Sequence, residues 1–226
     1  MKTIINYVLI FAIFLAVPLI GDRAVTTLSN NLRTNTILII DAGHGGVDGG
    51  AVSCTGAYES HINLEIAHRL NDLMHILGVH TIMIREDDRS VYTQGTTIAA
   101  KKVSDIRERV RIVNTTPHAI FLSVHQNNYS DSKYDGAQVF YNSIPESKDL
   151  AAQLQSAIRL NLNPNNRRQH KKSTGVYLMD HINCIGVLIE CGFLSNPEEE
   201  MKLRDSSYQK KLCSVIAVTM CQYLNT

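Results

Sequence analysis

The sequence predicts a single α/β domain with a mainly parallel, twisted sheet flanked by helices on both faces. Three observations lead there. Short aliphatic runs alternate along the chain with longer segments of helical periodicity. Those runs are continuously apolar rather than alternating, as in strands covered on both faces. Several of them end in a polar residue, as strands do when they deliver side chains to the carboxyl edge of an open sheet. No GxGxxG follows the first strand, which disfavours a dinucleotide-binding variant.

The elements follow in order. Lys2 precedes an apolar run over residues 4–20, broken by Asn6 and Pro18. Residues 1–25 therefore read as an export signal or membrane anchor, with the rest of the chain outside the membrane. Residues 26–36, rich in Asn, Ser and Thr, read as a linker, and the folded domain as residues 37–226. Residues 37–40, ending at Asp41, form the first strand, and a glycine-rich loop follows over 43–50. Residues 60–77 place Ile62, Ile66, Leu70, Leu73 and Leu77 on one helical stripe, and Gly78 caps it. Strands are expected at 79–84, 119–124, 137–141 and 186–189, and helices at 105–114, 148–162 and 208–223.

Three segments share one design. The first strand runs into His44, the strand at 119–124 into His125, and the strand at 186–189 into Glu190. Strand ends of one sheet meet at one edge, so these residues can converge although they are far apart in sequence. Two histidines, a carboxylate and an open position for water make a catalytic zinc site. A second, unligated carboxylate is then needed to move protons. Gly43, Gly45, Gly46, Gly49 and Gly50 around His44 leave room for backbone to approach a bound group.

These residues carry a family resemblance. DAGHGGVDGGA at 41–51 resembles the first motif of the zinc-dependent N-acetylmuramoyl-L-alanine amidases of the Amidase_3 type. SVHQN at 123–127 resembles their second histidine motif, and ECGFLSNPE at 190–198 their glutamate motif. Arg85, Asp88 and residues 109–114 also match, so the resemblance spans roughly residues 36–225. It implies one zinc ion per chain held by His44, Glu59 and His125, with Glu190 as catalytic acid/base. Glu59 enters through the resemblance, just before the helix at 60–77; Glu65 is its rival. The implied reaction is hydrolysis of the amide between N-acetylmuramic acid and L-alanine in peptidoglycan. A short apolar segment followed by one catalytic domain is similar to CwlD-type sporulation amidases. That likeness implies muramic-δ-lactam formation in the spore cortex, action at the forespore envelope and an activating or targeting protein partner. The alternatives are another zinc peptidase, such as a carboxypeptidase, and a catalytically silent wall-binding module.

Other residues are read more plainly. His61, His68 and His75 fall on the solvated side of their helix. Arg167, Arg168, His170, Lys171 and Lys172 form an exposed basic loop or a substrate lip, and Asn127 and Ser195 orient neighbours by hydrogen bonds. The five cysteines, at 54, 184, 191, 213 and 221, are structural or incidental. Cys191, beside Glu190, carries the hypothesis of oxidation-sensitive activity. A net charge of +1 gives no reason to expect nucleic acid, and membrane contact is expected only through the N-terminal segment.

Overall fold

The computed structural model describes residues 35–225. The signal or anchor, and the linker up to residue 34, lie outside the described residues. The first aliphatic run forms β1 (Ile37–Ala42), followed by α1 (Glu59–Ile76), β2 (His80–Met83), α2 (Ile98–Thr115) and β3 (Ala119–Asn127). Then come β4 (Gln138–Tyr141), α3 (Pro145–Leu162), β5 (Lys171–Lys172), α4 (Tyr177–His181) and β6 (Ile185–Phe193). Helices α5 (Pro197–Arg204) and α6 (Ser206–Leu224) close the described part.

The six strands form one sheet in the order β2-β1-β3-β6-β4-β5. Pairings among β2, β1, β3 and β6 are parallel, whereas β4 runs antiparallel to β6 and carries β5 with it. Alternation along the strands sorts the core into two layers. Leu38, Ile40, Leu122, Val124, Val187 and Ile189 face one way, in the layer with α1, α3 and α6. Ile39, Phe121 and Leu188 face the other way, in the smaller layer with α2 and α4. Each fully buried aliphatic side chain here contributes on the order of 1.5–3 kcal/mol.

Several elements differ from the sequence reading. Helix α2 begins at Ile98 because Thr97 caps it, its side chain accepting a hydrogen bond from the Ala100 amide at 3.2 Å. The first residues of that helix include exposed Ile98 and Val103, so no buried stripe betrays its start. Helix α5 was missed because it is short. It is built on Pro197 and on Asn196, whose side chain accepts from the Glu198 and Glu199 amides. Two-residue β5 and five-residue α4 are too short for periodicity to reveal. No helix among the described residues is long and apolar enough to cross a membrane.

Candidate functional site

The site lies at the carboxyl ends of β1, β3 and β6. Odd positions 39 and 41 of β1 and 121, 123 and 125 of β3 share the α2 face of the sheet with Leu188 and Glu190 of β6. His125 and Glu190 are register partners on neighbouring parallel strands. His44 lies two residues beyond the end of β1, and a turn through residues 49–58 brings the chain back so that Glu59 opens α1. The sequence reading put Glu59 just before that helix; it is the first helical residue.

Glu59 is the hub. Its Oε1 lies 3.0 Å from His125 Nδ1 and accepts from the Gln126 amide at 3.1 Å and from Asn63 Nδ2 at 3.2 Å. Its Oε2 lies 3.2 Å from His44 Nε2 and accepts from the Ala51 amide at 2.9 Å. Nitrogen and oxygen atoms of His44, Glu59 and His125 all lie within 4.8 Å of one another, a group that could hold a metal ion. The donor set, two imidazoles and one carboxylate, suits zinc. Two glycines make the cradle. A Cβ on Gly43 would lie 2.3 Å from the His125 ring, and one on Gly50 would lie 2.6 Å from Glu59 Oε2 and 2.7 Å from the His44 ring.

Burial opposes charge on Glu59, but the bonds from His125 and His44 outweigh it and hold the carboxyl far below the usual carboxylate range. On His44, burial disfavours the imidazolium, yet bonds to Asp48 and Glu59 raise it to about 9. Asp48 Oδ2 lies 3.0 Å from His44 Nδ1 and Asp48 Oδ1 lies 2.7 Å from Lys102 Nζ. Asp48 thereby fixes which ring nitrogen of His44 faces Glu59.

Two buried arginines strap the loop that carries His44. Arg109 reaches Asp41 and donates to the carbonyls of Ala42 at 3.1 Å and His44 at 2.7 Å. Arg85 donates to the carbonyls of Ala42 at 2.8 Å, Gly43 at 3.0 Å and Ser60 at 2.8 Å. Ser123 Oγ completes the Asp41 pocket at 2.6 Å. The loop is held against local preference, since His44 sits at φ 62°, an uncommon region for any residue but glycine. Sequence reasoning found Arg85 and Arg109 as motif positions but not as straps, and it missed Asp48, whose only signal was its place in the glycine loop.

Glu190 is surrounded differently. It is half-buried, but its Oε2 is shielded from solvent and has no hydrogen-bond partner. Burial, with Glu59 nearby, pushes its carboxyl above the ordinary range against the pull of the two histidines. An unpaired polar atom buried beside a His–Glu–His cluster marks a place where a ligand or water is received.

The remaining candidates lie elsewhere. Glu65 is exposed and accepts from Gln209 Nε2 at 3.0 Å, away from the cluster. His61 pairs with Asp88 at 3.0 Å, His68 bonds the Glu86 carbonyl and His75 meets Thr81, so the three tie α1 to the β2 segment rather than to one another. Ser195 Oγ accepts from the Tyr129 amide at 3.1 Å, an orienting role as expected. All five cysteines are free. Cys191 points away from Glu190 into the α6 layer, fully buried, and burial pushes its thiol far up. A thiol that is neither exposed nor ionised resists peroxide, which argues against the oxidation hypothesis.

The family profile described as N-acetylmuramoyl-L-alanine amidase matches residues 38–222. A germination-specific N-acetylmuramoyl-L-alanine amidase of Bacillus subtilis is 38% identical over 189 residues, covering 83% of this chain and 79% of that protein. The CwlD amidase from Clostridioides difficile, solved in complex with the GerS lipoprotein, superposes with a TM-score of 0.80 at 36% identity, covering 84% and 98% of the two chains. An N-acetylmuramoyl-L-alanine amidase from Clostridium difficile 630 superposes at 0.74 with 27% identity, covering 84% and 97%.

Proposed function

The chain belongs to the N-acetylmuramoyl-L-alanine amidase family and is a hydrolase of peptidoglycan; from that premise we propose that it is a one-zinc amidase of the spore cortex. The bond cleaved joins the lactyl carbonyl of N-acetylmuramic acid to the amine of L-alanine. His44, Glu59 and His125 hold the zinc, and Glu190 is the catalytic acid/base. The observation that carries this reading is the unpartnered, buried Oε2 of Glu190, one register step across the sheet from His125.

Bound by these three residues, zinc supplies Lewis acidity for the carbonyl and makes water more acidic. The rest falls to the chain. Glu190, with an oxygen free of other partners, takes the proton of the attacking water and delivers it to the departing alanine amine. Glu59 stays ionised and keeps both imidazoles aimed at one point. Arg85 and Arg109 keep the His44 loop from drifting by binding its carbonyls.

The cortex assignment, with muramic-δ-lactam as the downstream mark, rests on the likeness to the germination-specific relative. A protein partner that targets or activates the enzyme is proposed by analogy with the neighbour solved with a lipoprotein. Residues 1–25 would serve as signal or anchor for work outside the membrane, at the forespore envelope. The test is muropeptide analysis of wall digested by the wild type and by Glu190→Gln, with metal content measured on both. Expected are new alanine amino termini with the wild type, near-total loss with Glu190→Gln, and equal zinc in the two. Cleavage within the stem peptide instead would overturn the bond assignment.

A further inference from the structure

We propose that a cavity just beyond the His125–Glu190 pair is the subsite for the departing stem peptide, and that Arg168 recognises a carboxylate on it. This rests on the amide cleavage proposed above and adds the side on which the peptide leaves.

The cavity, about 300 Å³, is lined by Asn127, Tyr129, Tyr134, Arg168 and Phe193. Its floor is built by register. Asn127 and Phe193 are the next partners after His125 and Glu190 on β3 and β6, past an irregularity in the pairing. At about 3.3 Å per residue, two to three residues place that floor roughly 7–10 Å beyond the proposed reacting centre. A peptide advances at about the same rate, so a carboxylate on the residue after alanine arrives at that depth.

Arg168 is prepared for an anion. Its Nε donates to the Asp135 carbonyl at 2.7 Å and its Nη1 lies 3.3 Å from Gln138 Oε1. Its guanidinium lies 4.5 Å from the centre of the Phe193 ring. Gln138 is the cross-strand partner of Glu190, which puts the strap holding Arg168 beside the proposed acid/base. Among the described residues no hydrogen bond uses Arg168 Nη2, and Arg168 makes no ion pair. A half-buried, immobilised guanidinium with spare donors and no counter-ion is a receptor for carboxylate. Tyr134, edge-on to Tyr129 at 4.9 Å, walls the cavity with aromatic surface for the peptide stem.

Proton transfer decides which half of the substrate enters. The amine must leave toward the residue that protonates it, and Glu190 stands on the β6 side, next to the cavity. The metal ligands stand on the β1 and β3 side. The peptide therefore departs over Phe193 and Arg168, and the glycan lies toward the His44 loop.

The experiment is a binding cycle by calorimetry on the full chain. The probes are the tripeptide L-alanyl-γ-D-glutamyl-diaminopimelate and the same peptide with the glutamate α-carboxylate amidated. Wild type should bind the acid form about tenfold more tightly, the scale of one charge-assisted hydrogen bond. Arg168→Gln should bind both forms alike, and Arg168→Lys should restore part of the preference. On wall substrate, Arg168→Gln should raise KM and leave kcat nearly unchanged. The subsite is overturned if wild type does not distinguish the peptides, or if Arg168→Gln still does. The two proposals separate cleanly: wild type that opens no muramoyl–alanine bond sinks the function, whereas cleavage without peptide discrimination sinks only the subsite.

Discussion

On the β1–α1 side of the site, Glu59 has both oxygens engaged by His125, Gln126, Asn63, His44 and Ala51. On the β6 side, Glu190 has an oxygen that meets nothing. Glu59 is buried whole, whereas Glu190 is half-buried with its Oε2 shielded from solvent, so both carboxylates are desolvated and a second difference matters more. It is the number of donors aimed at each one. A carboxylate crowded with donors stays charged and stays put; one left without them is free to exchange a proton and accept a new neighbour. The contrast extends outward, because the Glu59 side is strapped by Arg85 and Arg109 while a cavity lined by Asn127 and Phe193 lies further along β3 and β6.

The sharpest way to break this contrast is to exchange the charge on the free carboxylate. Glu190→Gln is expected to lower turnover by about 10²–10⁴, the usual worth of general acid–base catalysis. Zinc content should stay unchanged, and release of stem peptides from purified wall measures the loss. Next comes the strapped side. Arg109→Met leaves Asp41 buried without its cation and should cost about 3–5 kcal/mol in urea unfolding, as broken buried pairs do. A loss well under 1 kcal/mol would mean the strap is dispensable.

Glu59→Gln tests the crowded carboxylate itself. It turns one acceptor into a donor facing backbone amides, so a loss of about 1–3 kcal/mol is expected even without metal. Zinc per chain should also fall, which metal analysis after dialysis would show. A variant with wild-type stability and zinc would erase the distinction between the two carboxylates.

The acid limb of stability gives a smaller effect. Burial raises the Asp41 carboxyl, but Arg109 and Ser123 outweigh it and hold it low. Its contribution is complete above the unfolded value of about 4 and is lost as pH falls through the lower folded value. Urea midpoints from pH 7 down to pH 3 should fall less steeply in Arg109→Met than in wild type. The smallest expected effect is none: peroxide should leave activity unchanged, because Cys191 is buried with its thiol pushed up.

Much of this was legible in the sequence because strands buried on both faces write continuous aliphatic runs, and their last residues announce the functional edge. His44, His125 and Glu190 come from that rule alone. Glu59 does not, since a turn returns it to the site from the start of a helix and no periodicity encodes that return. Arg85 and Arg109 look like surface residues by type; the bare carbonyls of the His44 loop, and for Arg109 the carboxylates of Asp41 and Asp105, explain their burial. The reversal of β4 is equally silent, because a four-residue strand with apolar residues packed toward both faces of the sheet reads the same in either direction.

The strand order has a consequence for when the protein becomes an enzyme. The three proposed ligands are all in place along the chain by the end of β3, but β6 must slot between β3 and β4, which otherwise share no edge. The proposed acid/base thus arrives on a late, internal strand. A chain halted before β6 would own the His–Glu–His cluster and lack the proposed proton carrier, with the inner edge of β3 left bare. Long-range pairing of this kind is slow to form. On the proposed roles, hydrolytic competence comes with the closing of the sheet, and a partly folded chain would leave the wall uncut.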